Sequence, residues 1–367
     1  MNTPAVVLPR LRPALDDLPV YRAGQPAGAG DVGKLSANEN PFAPLPSVLD
    51  AVARAATTLN RYPDPASTVI TDALAERHGV AAEHVAVGAG SVALCQQLVQ
   101  ATAATGDEVL FAWRSFEAYP ILTRLADATP RPVPLTTTGE HDLGAMLASV
   151  GPRTRLVLVC NPNNPTGRAI PARDLAAFVA AVPADVLVVV DEAYAEFVRD
   201  PDVTSAAPLL DDHPNVCVLR TFSKAYGLAG LRIGYALGHP AVAKALRRTT
   251  TTFAVTALAQ QAAIASLAAE HELQERVEAV IEQRERLAAE LRRHGWPVGS
   301  SEANFLWIED DGRAPAFVRA CEQNGLSVRS FPGEGVRVTI GTAEATELLG
   351  HTAARAATAT SDAAAYS

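Results

Sequence analysis

Between residues 84 and 237, short apolar runs rich in β-branched residues alternate with stretches of helical periodicity. Runs at 84–87, 108–112, 155–159, 186–190, 215–219 and 232–237 read as strands, and residues near 91–104, 116–126, 171–181 and 240–248 read as helices. Several strand runs are apolar throughout instead of alternating, the pattern of strands buried on both faces. That predicts an α/β fold, with a mostly parallel sheet covered by helices. Before it, residues 36–46 are too punctuated by proline for a helix, and Ser47 is placed to cap one running to about Thr57.

Beyond Thr256 the pattern changes. A long helical stretch reaches about His294, followed by strand-like runs at 303–309, 326–329 and 335–341 and a helix near 315–324. This reads as a second, smaller α/β unit. The expected division is therefore an arm at 1–36 that also contributes to the small domain, a large domain at 37–254, a small domain at 255–356, and an Ala/Thr/Ser-rich tail at 357–367 without regular structure.

Composition narrows the class. The chain has 367 residues, 48% of them hydrophobic, and a formal net charge of −9. An acidic balance argues against nucleic acid as a partner. Cys95, Cys160, Cys217 and Cys321 lie in apolar stretches without C-x-x-C spacing, which predicts buried free thiols and a reducing cytoplasm. Neither a secretory signal nor a membrane-spanning run is recognisable, and no metal-ligand cluster is expected.

The candidate chemistry lies at strand ends. Lys224 follows a strand in T221-F-S-K, with Arg232 further on. A lysine behind two hydroxyls, with an arginine nearby, can hold an aldehyde cofactor that carries a phosphate. Positive charge and partial desolvation would disfavour its protonation. Asp191 ends the apolar run 186–190; it is either a turn cap or a carboxylate kept ionised to hold a pyridinium N–H, with Tyr194 in reach of the same ring. C160-N-P-N-N-P-T-G167 follows another apolar strand, where α/β folds bind ligands, and an asparagine there can donate to a phenolate.

V87-G-A-G-S-V-A93 matches a dinucleotide-binding turn, but the next strand lacks the ribose-binding acid at its end. As a glycine turn opening a helix, it instead lets Gly90, Ser91 and Val92 cradle a phosphate; a plain strand–helix turn remains the other reading. Arg337 interrupts the apolar run G335-V-R-V-T and Arg329 follows L326-S-V. Either can bind a substrate carboxylate or serve in an ion pair. Together these segments point to pyridoxal 5′-phosphate and amino-group chemistry.

These motifs, with A37-N-E-N-P41 and N60-R-Y-P63, resemble the fold type I pyridoxal-phosphate aminotransferases of the histidinol-phosphate aminotransferase family. G88-A-G-S-V-A-L-C-Q-Q and W113-R-S-F-E-A-Y119 resemble its actinobacterial aromatic or phenylalanine branch. Val92 stands where histidinol-phosphate enzymes typically carry an acidic residue. The resemblance implies that Lys224 holds the cofactor aldehyde covalently, Asp191 pairs with the ring nitrogen, and Asn164 and Tyr194 hold the ring hydroxyl. It implies that Phe116 stacks on the ring and that Gly90, Ser91, Thr221, Ser223 and Arg232 hold the phosphate. Tyr62 would reach the cofactor of a second subunit in a homodimer, Arg337 would bind the substrate carboxylate, and Tyr21 and Asn304 would line the substrate site. The implied activity is transamination between an aromatic amino acid and 2-oxoglutarate. Histidinol-phosphate transamination is the alternative; a threonine-phosphate decarboxylase, a cofactor-binding regulator and a nicotinamide dehydrogenase are weaker ones.

Overall fold

The structure is a computed structural model that describes residues 12, 15, 18 and 33–365. Seven strands form the main sheet: β1 (Val85–Gly88), β2 (Glu108–Trp113), β3 (Thr129–Pro134), β4 (Thr154–Cys160), β5 (Leu187–Asp191), β6 (Val216–Thr221) and β7 (Gly234–Gly238). Their order is β1-β7-β6-β5-β4-β2-β3, and only β7 runs antiparallel to its neighbours. The uninterrupted apolar runs have a direct cause. Val157, Val159, Val188 and Val190 enter one core, while Leu156, Leu158, Leu187 and Val189 enter another on the opposite face.

A second sheet contains β8 (Phe305–Glu309), β9 (Arg329–Phe331) and β10 (Gly335–Thr339), all antiparallel, in the order β8-β10-β9. Helices Glu270–Arg293, Ala314–Gln323 and Ala343–Ala365 pack beside it. The chain entering from residue 33 is tied to this sheet. Leu35 N–H donates to Ser327 O (2.8 Å), Ser327 N–H to Gly33 O (2.7 Å), and Thr339 N–H to Leu35 O (2.9 Å).

Several sequence expectations need correction. The first helix is Pro46–Ala56, with Leu45 at its N-cap and Pro46 at its first turn, so Ser47 lies inside the helix. The long helical stretch breaks at Ala269 into Ala257–Ala268 and Glu270–Arg293. The last helix continues to Ala365, into the segment expected to lack regular structure; its alanines are the strongest helix formers. Strand β3, T-P-R-P-V-P, drew no strand assignment. Its prolines fall at alternate positions, while Thr129 N–H and Leu135 N–H, at the other phase, donate toward β2. The missing N–H groups therefore face outward from an edge, where proline is tolerated and blocks further pairing.

Candidate active site

The parallel strands β4, β5 and β6 end side by side at Cys160, Asp191 and Thr221. A pocket of about 250 Å³ opens over these ends and is closed on its far side by Arg329 and Arg337 of the small sheet.

Asp191 is 6% exposed. Its Oδ2 accepts from the Tyr119 hydroxyl at 3.0 Å. Its Oδ1 is buried without a hydrogen-bond partner. Burial raises its pKa to about 6, although the Tyr119 hydroxyl, the Ala193 N–H and Lys224 pull it back. A buried carboxylate oxygen without a donor is costly; here the pocket is where a donor can come from.

Lys224 lies partly buried on the segment after β6. Its Nζ donates to Asn38 O at 3.2 Å and Ala37 O at 3.4 Å. Burial, followed by the positive charge of Arg337, lowers its pKa to about 8. The amine is therefore a nucleophile at mildly alkaline pH.

At the other end of the pocket, helix Ser91–Thr102 begins directly over the sheet. Gly90, its N-cap, has φ +87°, and a Cβ there would lie 2.5 Å from an Arg232 guanidinium nitrogen. Gly234 is equally constrained, since a Cβ would meet Ser91 N at 2.7 Å. These glycines let the helix N-terminus, Ser223 and Arg232 converge. Arg232 donates to Ser223 Oγ at 3.3 Å, and Ser223 Oγ lies 3.0 Å from Thr221 Oγ1. Helix N–H groups, hydroxyls and a guanidinium form an anion cup. A phosphate cup, a lone carboxylate oxygen and a low-pKa lysine around one pocket fit pyridoxal phosphate.

Residues 30–351 match the family "Aminotransferase class I and II". This chain belongs to that family. The aminotransferase is 58% identical over 335 residues to an aromatic amino acid aminotransferase of Thermobifida fusca, covering 91% of this chain and 93% of the relative. It is 54% identical over 343 residues to one of Streptomyces avermitilis, covering 93% and 96%. Among solved structures, the histidinol-phosphate aminotransferase of Sinorhizobium meliloti in complex with pyridoxal 5′-phosphate matches with a TM-score of 0.88. It is 30% identical, and the match covers 96% of this chain and 99% of that one.

Of the remaining residues singled out from the sequence, Val92, Phe116, Asn164 and Tyr194 line the aminotransferase pocket. Asn164 Oδ1 accepts from Arg337 at 2.5 Å, which orients the amide so that its Nδ2 is the donor left for a ligand. Arg337 also donates to Ser36 O at 2.6 Å. Arg329 faces the pocket and both Glu117 oxygens lie 2.9 Å from its guanidinium. Asn304 is fully buried and absent from the pocket wall; its amide donates to Asn38 O at 3.2 Å. Tyr62 is 82% exposed and also outside the pocket, stacked on Phe253 at 4.4 Å. Tyr21 lies outside the described residues.

Sequence reasoning overlooked Asn38, Tyr119 and Glu117. Asn38 (φ 55°) is 1% exposed and connects the two sheets: its N–H donates to Thr339 Oγ1 (2.9 Å), and its amide to the Tyr194 hydroxyl (3.0 Å). The A37-N-E-N-P41 segment carries part of the family resemblance, but nothing local marks its first asparagine as buried.

The lowered lysine pKa has a measurable consequence. Capture of pyridoxal phosphate by the apoprotein accelerates with rising pH and levels off just above pH 8, followed by stopped-flow absorbance. Acceleration continuing toward about 10.4, the ordinary lysine value, would contradict the desolvated amine.

Proposed function

We propose that this aminotransferase moves the amino group between an aromatic L-amino acid (Phe, Tyr or Trp) and 2-oxoglutarate, giving the aromatic 2-oxo acid and glutamate. The observation that carries the chemistry is the unpartnered Oδ1 of Asp191, facing the same pocket as Lys224 and the Ser223–Arg232 cup. Bound there, pyridoxal phosphate supplies an electron sink for the bond to the substrate Cα. Asp191 holds the proton on the ring nitrogen, and Asn164 and Tyr194 hold the ring hydroxyl oxygen. Phe116 covers a ring face. Thr221, Ser223, Arg232, Gly90, Ser91 and Val92 enclose the phosphate. The Lys224 amine carries the proton taken from Cα, as a general base of suitable pKa. Arg337 receives the substrate carboxylate.

The aromatic donor is supported by the names of the relatives at 54–58% identity. A histidinol-phosphate donor is supported by the Sinorhizobium likeness and by two arginines at the pocket wall. Competition between phenylalanine and histidinol phosphate on one preparation separates them. The expected result is the higher kcat/KM for phenylalanine; a preference for histidinol phosphate reverses the substrate assignment and leaves the chemistry at Lys224 in place.

The exposed Tyr62–Phe253 stack, with Leu59 and Val69 also exposed, supports a homodimer in which Tyr62 meets the cofactor of the second subunit. Tyr62→Phe then weakens cofactor retention roughly tenfold, the size of one hydrogen bond to a charged group. Mixing Tyr62→Phe chains with Lys224→Ala chains restores part of the lost activity, because the hybrid contains one intact site. An active monomer in sedimentation would exclude this arrangement. All four cysteines are free and buried, which supports a cytoplasmic location. Among the described residues no helix is long and apolar enough to cross a membrane.

A further inference from the structure

Asn38 is 1% exposed, with its backbone in the left-handed region at φ 55°. Asparagine is among the few residues that accept that conformation readily. Its side chain has a fixed polarity. Asn38 N–H donates to Thr339 Oγ1 at 2.9 Å, and Thr339 Oγ1 in turn donates to Asn38 Oδ1 at 3.1 Å. With the amide oxygen so engaged, Nδ2 is the end presented to Tyr194, and it donates to the Tyr194 hydroxyl at 3.0 Å. A phenol has one hydrogen to give. Because its oxygen accepts from Asn38, the Tyr194 hydrogen is directed elsewhere, and Tyr194 lines the cofactor pocket.

The same part of the small sheet holds the tyrosine ring. Thr339 and Phe305 are register partners across β10 and β8, and the Tyr194 ring meets Phe305 edge-on with centroids 5.1 Å apart. Burial pushes the Tyr194 phenol above its ordinary range, so the oxygen keeps its hydrogen. Asn164 is set in a parallel way: its Oδ1 accepts from Arg337, which leaves Nδ2 for the pocket. Two donors, each fixed from behind by another residue, therefore face one cavity.

We propose that Asn38 is a positioning residue: its amide occupies the acceptor side of the Tyr194 hydroxyl, so that the tyrosine gives its hydrogen to the ring hydroxyl oxygen of bound pyridoxal phosphate, and Thr339 sets which way that amide faces. This rests on the reading of Tyr194 as a partner of the ring hydroxyl, and adds the residues that aim it. With both donors in place, the ring oxygen shares less of its charge with the proton on the Lys224 nitrogen of the linked cofactor. That proton then leaves at lower pH. A chain of three side chains thereby lets the small sheet adjust the electronics of a group seated on the large one.

The test is a double-mutant cycle on the holoenzyme, read as the pH midpoint of the absorbance of the cofactor linked to Lys224. Tyr194→Phe raises the midpoint by about one to two pH units, the loss of one hydrogen bond to a charged group. Asn38→Gly suits φ 55° and keeps the backbone carbonyl that accepts from Lys224 and Asn304. It raises the midpoint by roughly half a unit or more in the parent, and by less than about 0.2 unit once Tyr194→Phe is present. Thr339→Val, outside the lining of the cofactor pocket, gives a smaller shift with the same dependence on Tyr194, and completes the cycle should Asn38→Gly not fold. The charged groups lining the pocket, Glu39, Glu117, Asp191, Arg232, Arg329 and Arg337, are unchanged in all these variants. Shifts that add to that of Tyr194→Phe, or no shift from either Asn38→Gly or Thr339→Val, overturn the proposal; a lower apoprotein melting temperature alone would mark a merely structural asparagine. No shift from Tyr194→Phe itself overturns the underlying reading of Tyr194 as well.

Discussion

Replacing Lys224 with alanine lowers transamination between phenylalanine and 2-oxoglutarate by at least roughly 10²–10⁴-fold, the range lost with a proton-transferring side chain. The loss is specific to chemistry. The lysine is partly buried, and its polar contacts are the carbonyl oxygens Ala37 O and Asn38 O, so the alanine protein folds and retains the Ser223–Arg232 cup. It still takes up pyridoxal phosphate, held by the cup and Asp191, but loses the absorbance of the covalently linked cofactor. Borohydride reduction of the parent protein followed by peptide mapping places the label on Lys224. Label on another lysine would overturn the assignment regardless of the kinetics.

The second large effect has two opposite signs. Asp191→Asn removes the charge that keeps the ring nitrogen protonated, and turnover falls at least on the order of a hundredfold. The same change stabilises the apoprotein. Burial raises the Asp191 pKa to about 6, so its contribution to stability is fully present below the ordinary carboxylate range and is lost as pH rises through about 6. Above that pH the apoprotein carries an ionised carboxylate with one oxygen unpartnered, a penalty of up to roughly 3 kcal/mol. Asparagine keeps an oxygen for the Tyr119 hydroxyl and carries no charge. The variant therefore unfolds at a higher temperature than the parent at pH 8, and the gap closes toward pH 4. An apoprotein destabilised at pH 8 by this change would show that Asp191 is a structural turn residue.

Where chemistry sits on a strand end, the sequence exposes it. Asp191 and the asparagines of 160–167 each follow an apolar run with no polar interruption, so the position of the first polar residue marks the sheet edge; Thr221 comes one residue later than that mark, behind Arg220. The mostly parallel sheet was legible for the same reason. Residues that act through tertiary contact left no such mark. Tyr119 reaches Asp191 across 72 positions, Asn38 reaches Tyr194 across 156, and Arg329 reaches Glu117 across 212. Asn304 is expected in the substrate site from the family resemblance alone, whereas its buried amide donates to Asn38 O. The overlooked strand β3 shows the opposite effect: its prolines are breakers by composition and edge residues by geometry. The break at Ala269 is silent in sequence because it falls in L267-A-A-E270, without glycine or proline.

Gly90 and Gly234 also bear on how freely this protein can acquire new substrates. Neither has a side chain to offer a ligand, yet at both a single added carbon would collide, at Gly90 with Arg232 and at Gly234 with the first amide of the helix. A mutagenesis library selected for altered donors would leave both positions unchanged while Glu117 and Arg329, on the pocket wall away from the cup, diversified. Tolerance to change would then follow distance from the phosphate cup instead of distance from the substrate. New specificities would arise along the wall formed by residues 117 and 329, on a cofactor seat that selection cannot move.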